Sequence, residues 1–265
     1  MSDLEILVQE SSFLVVNKPS GLFTQAAPGI ASLETILRTQ LFGATISDAN
    51  PFVGLPHRLD KGTSGAVLVA RNQRSLKRFG QQFQSRKVQK YYITLVESNA
   101  ATLNGRLQDY VGKIPDEPKA KVVTKQENGR EAILDVRCIH ANGQCSLMLI
   151  RLQTGRMHQI RLQLASRGFP VWGDRLYGAQ AVFEPETKEE AVIKRPPLDL
   201  EHMTASCLPL HACRLEFFHP KSALRVTANA NLPRVWDALP GNMSEQAESL
   251  LANLRDQSEL GEHFR

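Results

Sequence analysis

Short apolar runs separated by turn residues open the chain: Ile6 to Val8 and Phe13 to Val16 stop at Asn17-Lys18-Pro19-Ser20-Gly21, which predicts two short strands closed by a Pro/Gly turn. Residues 26 to 54 carry a weaker pattern, in which Leu33, Ile36, Leu37 and Leu41 fit one short helix. The polar run Pro56 to Gly65, PHRLDKGTSG, then leads into a strand from Ala66 to Ala70. A charged loop fixed by a strand is a common place for chemistry, so function is expected to concentrate there. Leu76, Phe79 and Phe83 predict an amphipathic helix over 75 to 85, and a β-branched and aromatic strand follows from Tyr91 to Val96.

Residues 104 to 131, polar and rich in Gly, Pro and Lys, read as a hairpin or arm between strands. Ala132 to Arg137 and Cys145 to Leu152 read as paired strands. Thr154-Gly155 opens a helix running from about Arg156 to Ser166, ended by Gly168 with Pro170 beyond it. From about residue 180 the pattern loosens into a charged segment, Glu184 to Glu190, and a break at Pro196-Pro197. A strand from Leu210 to Phe218 follows, ended by His219-Pro220. Met243, Ala247, Leu250, Leu251 and Leu254 stand at helical spacing, with Ser244 as candidate N-cap.

Composition narrows the class. The chain has 265 residues, 42% apolar and 22% charged, which is ordinary globular usage and excludes disorder or a collagen-like tract as the main story. Neither a basic leader followed by an apolar run nor an 18-residue apolar stretch is present, so the chain is read as cytoplasmic, with no membrane partner. The cysteines at 138, 145, 207 and 213 have neither CxxC spacing nor histidines at zinc-ligand intervals; reduced, buried thiols and no metal are expected.

Charge is more informative in its distribution than in its sum of +5. Between Asp60 and Glu97 there is no acid, while Lys61, Arg71, Arg74, Lys77, Arg78, Arg86, Lys87 and Lys90 supply eight bases. A solvated helix face accounts for such a block by itself. Placed directly after a candidate catalytic loop, it points to nucleic acid. From Val235 onward six acids face two bases, so residues 235 to 265 are set apart as an acidic helical extension of a catalytic domain over 1 to 234.

Three side chains stand out. Asp60 lies beside His57, Arg58 and Lys61, cations that favour an ionised base or nucleophile; an aspartate capping its own turn fits the same tripeptide. Arg161 borders the stripe of Met157, Ile160 and Leu164 on the expected helix, where a buried guanidinium needs a carboxylate such as Asp60. An arginine that lays its stem on apolar surface and its head in water is the plainer alternative. Tyr92 faces opposite Tyr91 on its strand, so only one of the two can face a pocket and stack on a base.

The run HRLDKGTSGAVLVARN at 57 to 72 resembles the signature loop of the RluA-type pseudouridine synthases. So do ILVQESSFLVVNKPSGL at 6 to 22, KYYITLV at 90 to 96, GRMHQIRLQLASRGFPVWGDRLYG at 155 to 178 and LPLHACRLEFFHP at 208 to 220, in family order. The resemblance implies a pseudouridine synthase fold: α+β, with a central mixed, mainly antiparallel sheet flanked by helices and loops and an active site in a cleft across it. It implies isomerisation of uridine in structured RNA, tRNA or rRNA, without cofactor or metal. Asp60 aligns with the catalytic aspartate, Tyr92 with the active-site tyrosine and Arg161 with the arginine that pairs with that aspartate. His57, Arg58, Leu59, Thr63 and Leu210 are expected to contact substrate, Arg58 by filling the gap left by a flipped base.

Met157 and Gln163 depart from the family's usual Thr or Ser and His. No S4-like module is expected, no protein partner is evident, and the chain is read as a monomer. An RNA-binding module without catalysis and a uracil-releasing glycosidase are the alternatives. The glycosidase usually needs a second carboxylate, and none is evident near Asp60.

Overall fold

The computed structural model describes residues 3–42, 52–181, 207–256 and 264; the charged segment at 184–190 and the break at 196–197 lie outside the described residues. The architecture is α+β, with mainly antiparallel strands flanked by helices and loops. The chain divides into two compact units, one drawn from Met1–Val88 and Ala212–Val235 with Cys207, the other from Gln89–Phe183, Leu208–His211 and Trp236–Arg265. Among the described residues no helix is long and apolar enough to cross a membrane.

In the first unit, β1 (Glu5–Gln9) pairs antiparallel with β2 (Phe13–Lys18), and β2 with β3 (Ser64–Ala70) in a register running from Phe13↔Ala70 to Lys18↔Gly65. Every residue of β3 is buried, as the unbroken apolar run SGAVLVA requires of a strand covered on both faces. The Ala212–Phe218 part of β9 (Leu210–Phe218) lies beside β3 and pairs antiparallel with β10 (Arg225–Asn229). Gly65 permits the approach of β3 to β9: its φ is +114°, and a Cβ there would fall 2.3 Å from the Ala212 carbonyl oxygen.

Helix α1 (Leu33–Phe42) is the short helix the sequence predicts. Helix α2 (Gln73–Gln84) starts at Asn72, whose side-chain oxygen accepts the Ser75 N–H at 2.8 Å. Its Phe79 reaches the core formed by Phe13, Val15, Leu68, Leu215 and Phe217. The Phe13, Phe79 and Phe217 rings meet edge to face at centroid distances of 5.3 to 5.7 Å, a geometry that adds to the burial of their area.

The second unit is an antiparallel sheet of β4 (Gln89–Glu97), β5 (Gly105–Lys113), β6 (Ala120–Val123), β7 (Arg130–Ala141) and β8 (Cys145–Leu152), in the order β4-β8-β7-β5-β6. The stretch 104 to 131 is thus a β5–β6 hairpin. Strand β7 runs farther than the expected Ala132 to Arg137, because a register shift between Cys138 and His140 breaks the alternation that marks a strand in sequence. The Asn142 side chain closes the β7–β8 turn by accepting the N–H groups of Gln144 and Cys145.

Three expectations need correction. Helix α3 is Gln159–Ala165, shorter than 156 to 166, because His158 holds a left-handed conformation (φ 50°) that no α-helix can include, leaving Arg156 and Met157 in a loop. Ser244 is not a cap: helix α4 (Met243–Asp256) already includes it in its first turn, with Met243, Ala247, Leu250, Leu251 and Leu254 buried as predicted. Only Cys145 and Cys213 are buried; Cys138 and Cys207 are partly exposed.

Phe79→Ala should lower unfolding free energy by about 3–5 kcal/mol, read as a drop in urea midpoint with unchanged slope, because it removes one ring from a fully packed cluster.

Candidate active site

Asp60 sits in a loop whose backbone is bonded into place by the turn that follows β2. Thr24 Oγ1 donates to the Leu59 carbonyl at 2.7 Å and accepts the Leu59 N–H at 3.1 Å. The Gly21 N–H donates to the Lys61 carbonyl at 2.8 Å, and Ser20 Oγ to the Gly62 carbonyl at 2.6 Å. Within the loop the Thr63 N–H reaches the Asp60 carbonyl at 3.1 Å. The polar loop is thereby fixed on both sides of the carboxylate, which stays partly exposed.

Beneath it lies a residue that the sequence reading passes over. Lys18 is completely buried on the same face of β2 as Leu14 and Val16, and its ammonium donates to the carbonyls of Pro19 (2.9 Å), Leu22 (2.7 Å) and Lys61 (3.4 Å). Burial pushes this ammonium from an ordinary 10.5 down to about 7, opposed in part by the charge of Asp60 and then of Cys207. The signal for Lys18 was a lysine continuing the apolar alternation of FLVVNK.

Of the other loop residues, His57 accepts the Leu68 N–H at Nε2 (2.9 Å) and stacks on Phe83 with centroids 4.7 Å apart, so its ring braces the loop against β3 and α2. Leu59 and Thr63 are buried, and the Thr63 hydroxyl has no hydrogen-bond partner among the described residues. Arg58 is exposed.

On α2, Arg74, Lys77 and Arg78 are exposed at i, i+3 and i+4 with no acid on the helix, and Arg78 also donates to the Pro220 carbonyl. Just past its end Arg86 is held at φ 56°, where glycine is the usual residue.

In the second unit Arg161 and Tyr92 are both nearly buried, as is Leu210. Asp174 meets Arg161: Nε donates to Oδ2 and Nη2 to Oδ1, both at 2.7 Å. The guanidinium lies 5.1 Å from the centre of the Tyr177 ring, and the Tyr177 hydroxyl accepts the Ala120 N–H and meets His158 Nδ1, each at 3.0 Å. The argument that a buried Arg161 needs a carboxylate is met by Asp174 within this unit. Asp174 was recoverable, being the single acid in the stretch 155–178. Gln163 donates to Asp109 Oδ2 at 2.7 Å and accepts from Gln159 at 3.0 Å.

A sequence model of the RNA pseudouridylate synthase family matches residues 12–166, which include the Asp60 loop, Tyr92 and Arg161. The chain belongs to this family. Its relatives include a protein named ribosomal large subunit pseudouridine synthase D in Xylella fastidiosa, 32% identical over 258 residues that make up 97% of this chain and 71% of that one. Its namesake in Borreliella burgdorferi is 30% identical, over 66% of this chain and 55% of that one. An uncharacterized RNA pseudouridine synthase of Mycoplasma genitalium is 33% identical, over 67% and 56%. The chain thus spans little more than half the length of the last two.

Two human structures share the fold at 24% identity. RNA pseudouridylate synthase domain containing 4 has a TM-score of 0.66 over 88% of this chain and 90% of that one, and domain containing 1 has 0.62 over 96% of each.

The lowered pKa of Lys18 sets a pH dependence. Between about 7 and 10.5 the unfolded chain keeps a proton that the folded chain has lost, so the Lys18 contribution to stability rises with pH across that window. The rise is at most roughly 1.4 kcal/mol per pH unit. Urea unfolding of wild type and Lys18→Met at about pH 6.5 and about pH 9.5 should show the wild type gaining on the variant at the higher pH.

Proposed function

We propose that the protein is an RNA pseudouridine synthase that isomerises a specific uridine in structured RNA, tRNA or rRNA, in the cytoplasm. What carries the reading is a partly exposed carboxylate, Asp60, in a loop bonded rigidly to the turn before it, within the stretch that matches the family. The names of two relatives refer to the large ribosomal subunit, which makes its RNA the first to test.

The chemistry asks little beyond this chain's own side chains. The bond from uracil N1 to the sugar C1′ breaks, the uracil turns while held, and C5 bonds to C1′ and loses its proton as N1 gains one. Substrate and product are isomers, so no electron or group has to be supplied. Asp60 either attacks the nucleoside or takes the 2′ proton. Tyr92 is the proposed stacking partner of the uracil and Arg161, aimed by Asp174, the proposed catalytic cation. His57, Arg58, Leu59, Thr63 and Leu210 are the proposed substrate contacts.

A paired uridine hides its sugar edge, so it must be flipped out at a cost of a few kcal/mol. The acid-free basic stretch supports phosphate contacts that offset this cost, and the exposed Arg58 is suited to filling the vacated stack.

Incubating the protein with unmodified ribosomal and transfer RNA, then digesting to nucleosides and separating them by retention, tests the proposal. Wild type should convert uridine to pseudouridine and Asp60→Asn should leave the uncatalysed background. Release of free uracil would mark a glycosidase, and binding without a new nucleoside a non-catalytic module. Arg58→Ala should lose activity on folded RNA by roughly tenfold or more if an unfilled stack costs at least 1.4 kcal/mol; full activity would remove Arg58 from this role.

A further inference from the structure

Among the described residues of the second unit, two half-buried cations that act on each other have no acid in ion-pair reach. Lys90, two residues before Tyr92 on β4 and hence on the same face of that strand, is half-buried, and its ammonium makes a 3.4 Å hydrogen bond to the Thr154 carbonyl. Arg156 is also half-buried and donates from Nε to the Glu131 carbonyl at 2.9 Å, leaving its two Nη groups without a hydrogen-bond partner among the described residues. Neither has a carboxylate in ion-pair reach among those residues. Burial, and then the like charge of Arg156, pushes the Lys90 ammonium from 10.5 down to about 8.

The loop that carries Arg156 is anchored on both sides of Gly155 and open there. Gln159, itself buried, accepts the Thr154 hydroxyl at 2.8 Å and the Arg156 N–H at 3.0 Å, and donates to the Ile133 carbonyl at 3.1 Å. Between the two anchored residues stands exposed Gly155, where a Cβ would lie 3.7 Å from Lys90 Nζ. Any larger residue would cover the ammonium on that side. A half-buried pair of like charges is unfavourable by itself, and neighbouring arginines of this unit that are as buried or more so have acids: Arg161 has Asp174, and Arg151 and Arg167 have Asp135 and Asp109. The missing partner is an anion from outside.

We propose that Lys90, Gly155 and Arg156 form a cradle for a backbone phosphate of the RNA substrate, on the Tyr92 face of β4. The proposal rests on RNA being the substrate. An arginine fork and a compact ammonium are the two side chains best suited to a phosphate, and glycine between them allows its oxygens to approach.

The test is the salt dependence of binding, with a labelled RNA hairpin bearing a uridine-rich loop as probe. The slope of log affinity against log salt should flatten by roughly 0.7 for Lys90→Met and again for Arg156→Gln, the value for releasing a single phosphate of a single strand. Affinity should fall roughly tenfold for each, and Lys90→Arg should keep most of both. A single neutral methylphosphonate at the bound linkage should weaken wild-type binding and leave Lys90→Met indifferent.

Because the substitution removes a like-charge repulsion, Lys90→Met should melt at or above the wild-type temperature, which separates a missing phosphate ligand from a damaged fold. An unchanged slope, or indifference of the wild type to every neutral linkage, would overturn the cradle. These outcomes are distinct from the nucleoside assay: pseudouridine formed with an unchanged slope refutes the cradle alone. A flattened slope with no pseudouridine refutes the reaction and keeps the phosphate site.

Discussion

The loop from His57 to Thr63 is held because the turn that precedes it in the sheet supplies donors to the carbonyls of Leu59, Lys61 and Gly62, on either side of Asp60. A polar loop of this kind would ordinarily sample many conformations, each residue losing about 1–2 kcal/mol of backbone entropy when fixed. Lys18, Ser20, Gly21 and Thr24 fix it from one side, and the His57 ring braces it from the other against Phe83 and the Leu68 N–H. The Lys18 ammonium is an expensive device for this, since burial penalises its charge. Its hydrogen bonds to three carbonyls tie the end of β2, the following turn and the Asp60 loop to one point.

The local cost of the basic stretch argues the same way. Like charges at i, i+3 and i+4 on α2 are unfavourable by roughly 0.2–0.5 kcal/mol per pair, and Arg74 in its first turn opposes the helix dipole. Arg86 adopts a backbone conformation that costs a non-glycine residue roughly 1 kcal/mol. A helix selected only to cover the Phe13, Phe79 and Phe217 cluster would need none of these. Each disfavours the free protein and favours contact with a polyanion, so local sequence choice conflicts with local stability at the place where function is expected.

Much of this was legible in the residues. The strands β1, β2, β3 and β9 and the helices α1 and α2 follow from apolar runs and periods with turn residues at their ends. What escaped is of two kinds. Irregularities break the period on which reading depends: the register shift at Cys138 concealed the length of β7, and the left-handed His158 took three residues from the expected start of α3. Partners across the chain carry no period at all. The need of Arg161 for a carboxylate could be argued from its position on an apolar stripe, but the identity of Asp174 depended on a loop 13 residues later folding back. Counting acids in 155–178 would have found it, since a buried arginine in a stretch with one acid has few choices.

Across the second unit the same pairing recurs. Asp135 accepts from Arg106, Arg151 and Gln153, Asp109 from Arg167 and Gln163, and Asp174 from Arg161. Each of these aspartates is thus engaged by at least one guanidinium, and burial of such charges is tolerable only because they are paired and hydrogen-bonded. Against this regularity the pair at Lys90 and Arg156 is an exception, and it falls on the face of β4 that carries Tyr92. A stray surface charge has water to solvate it and requires no account. A half-buried cation facing another cation does, and in a family whose substrate carries one negative charge per nucleotide the account is electrostatic: the protein is left incomplete in charge where the RNA completes it.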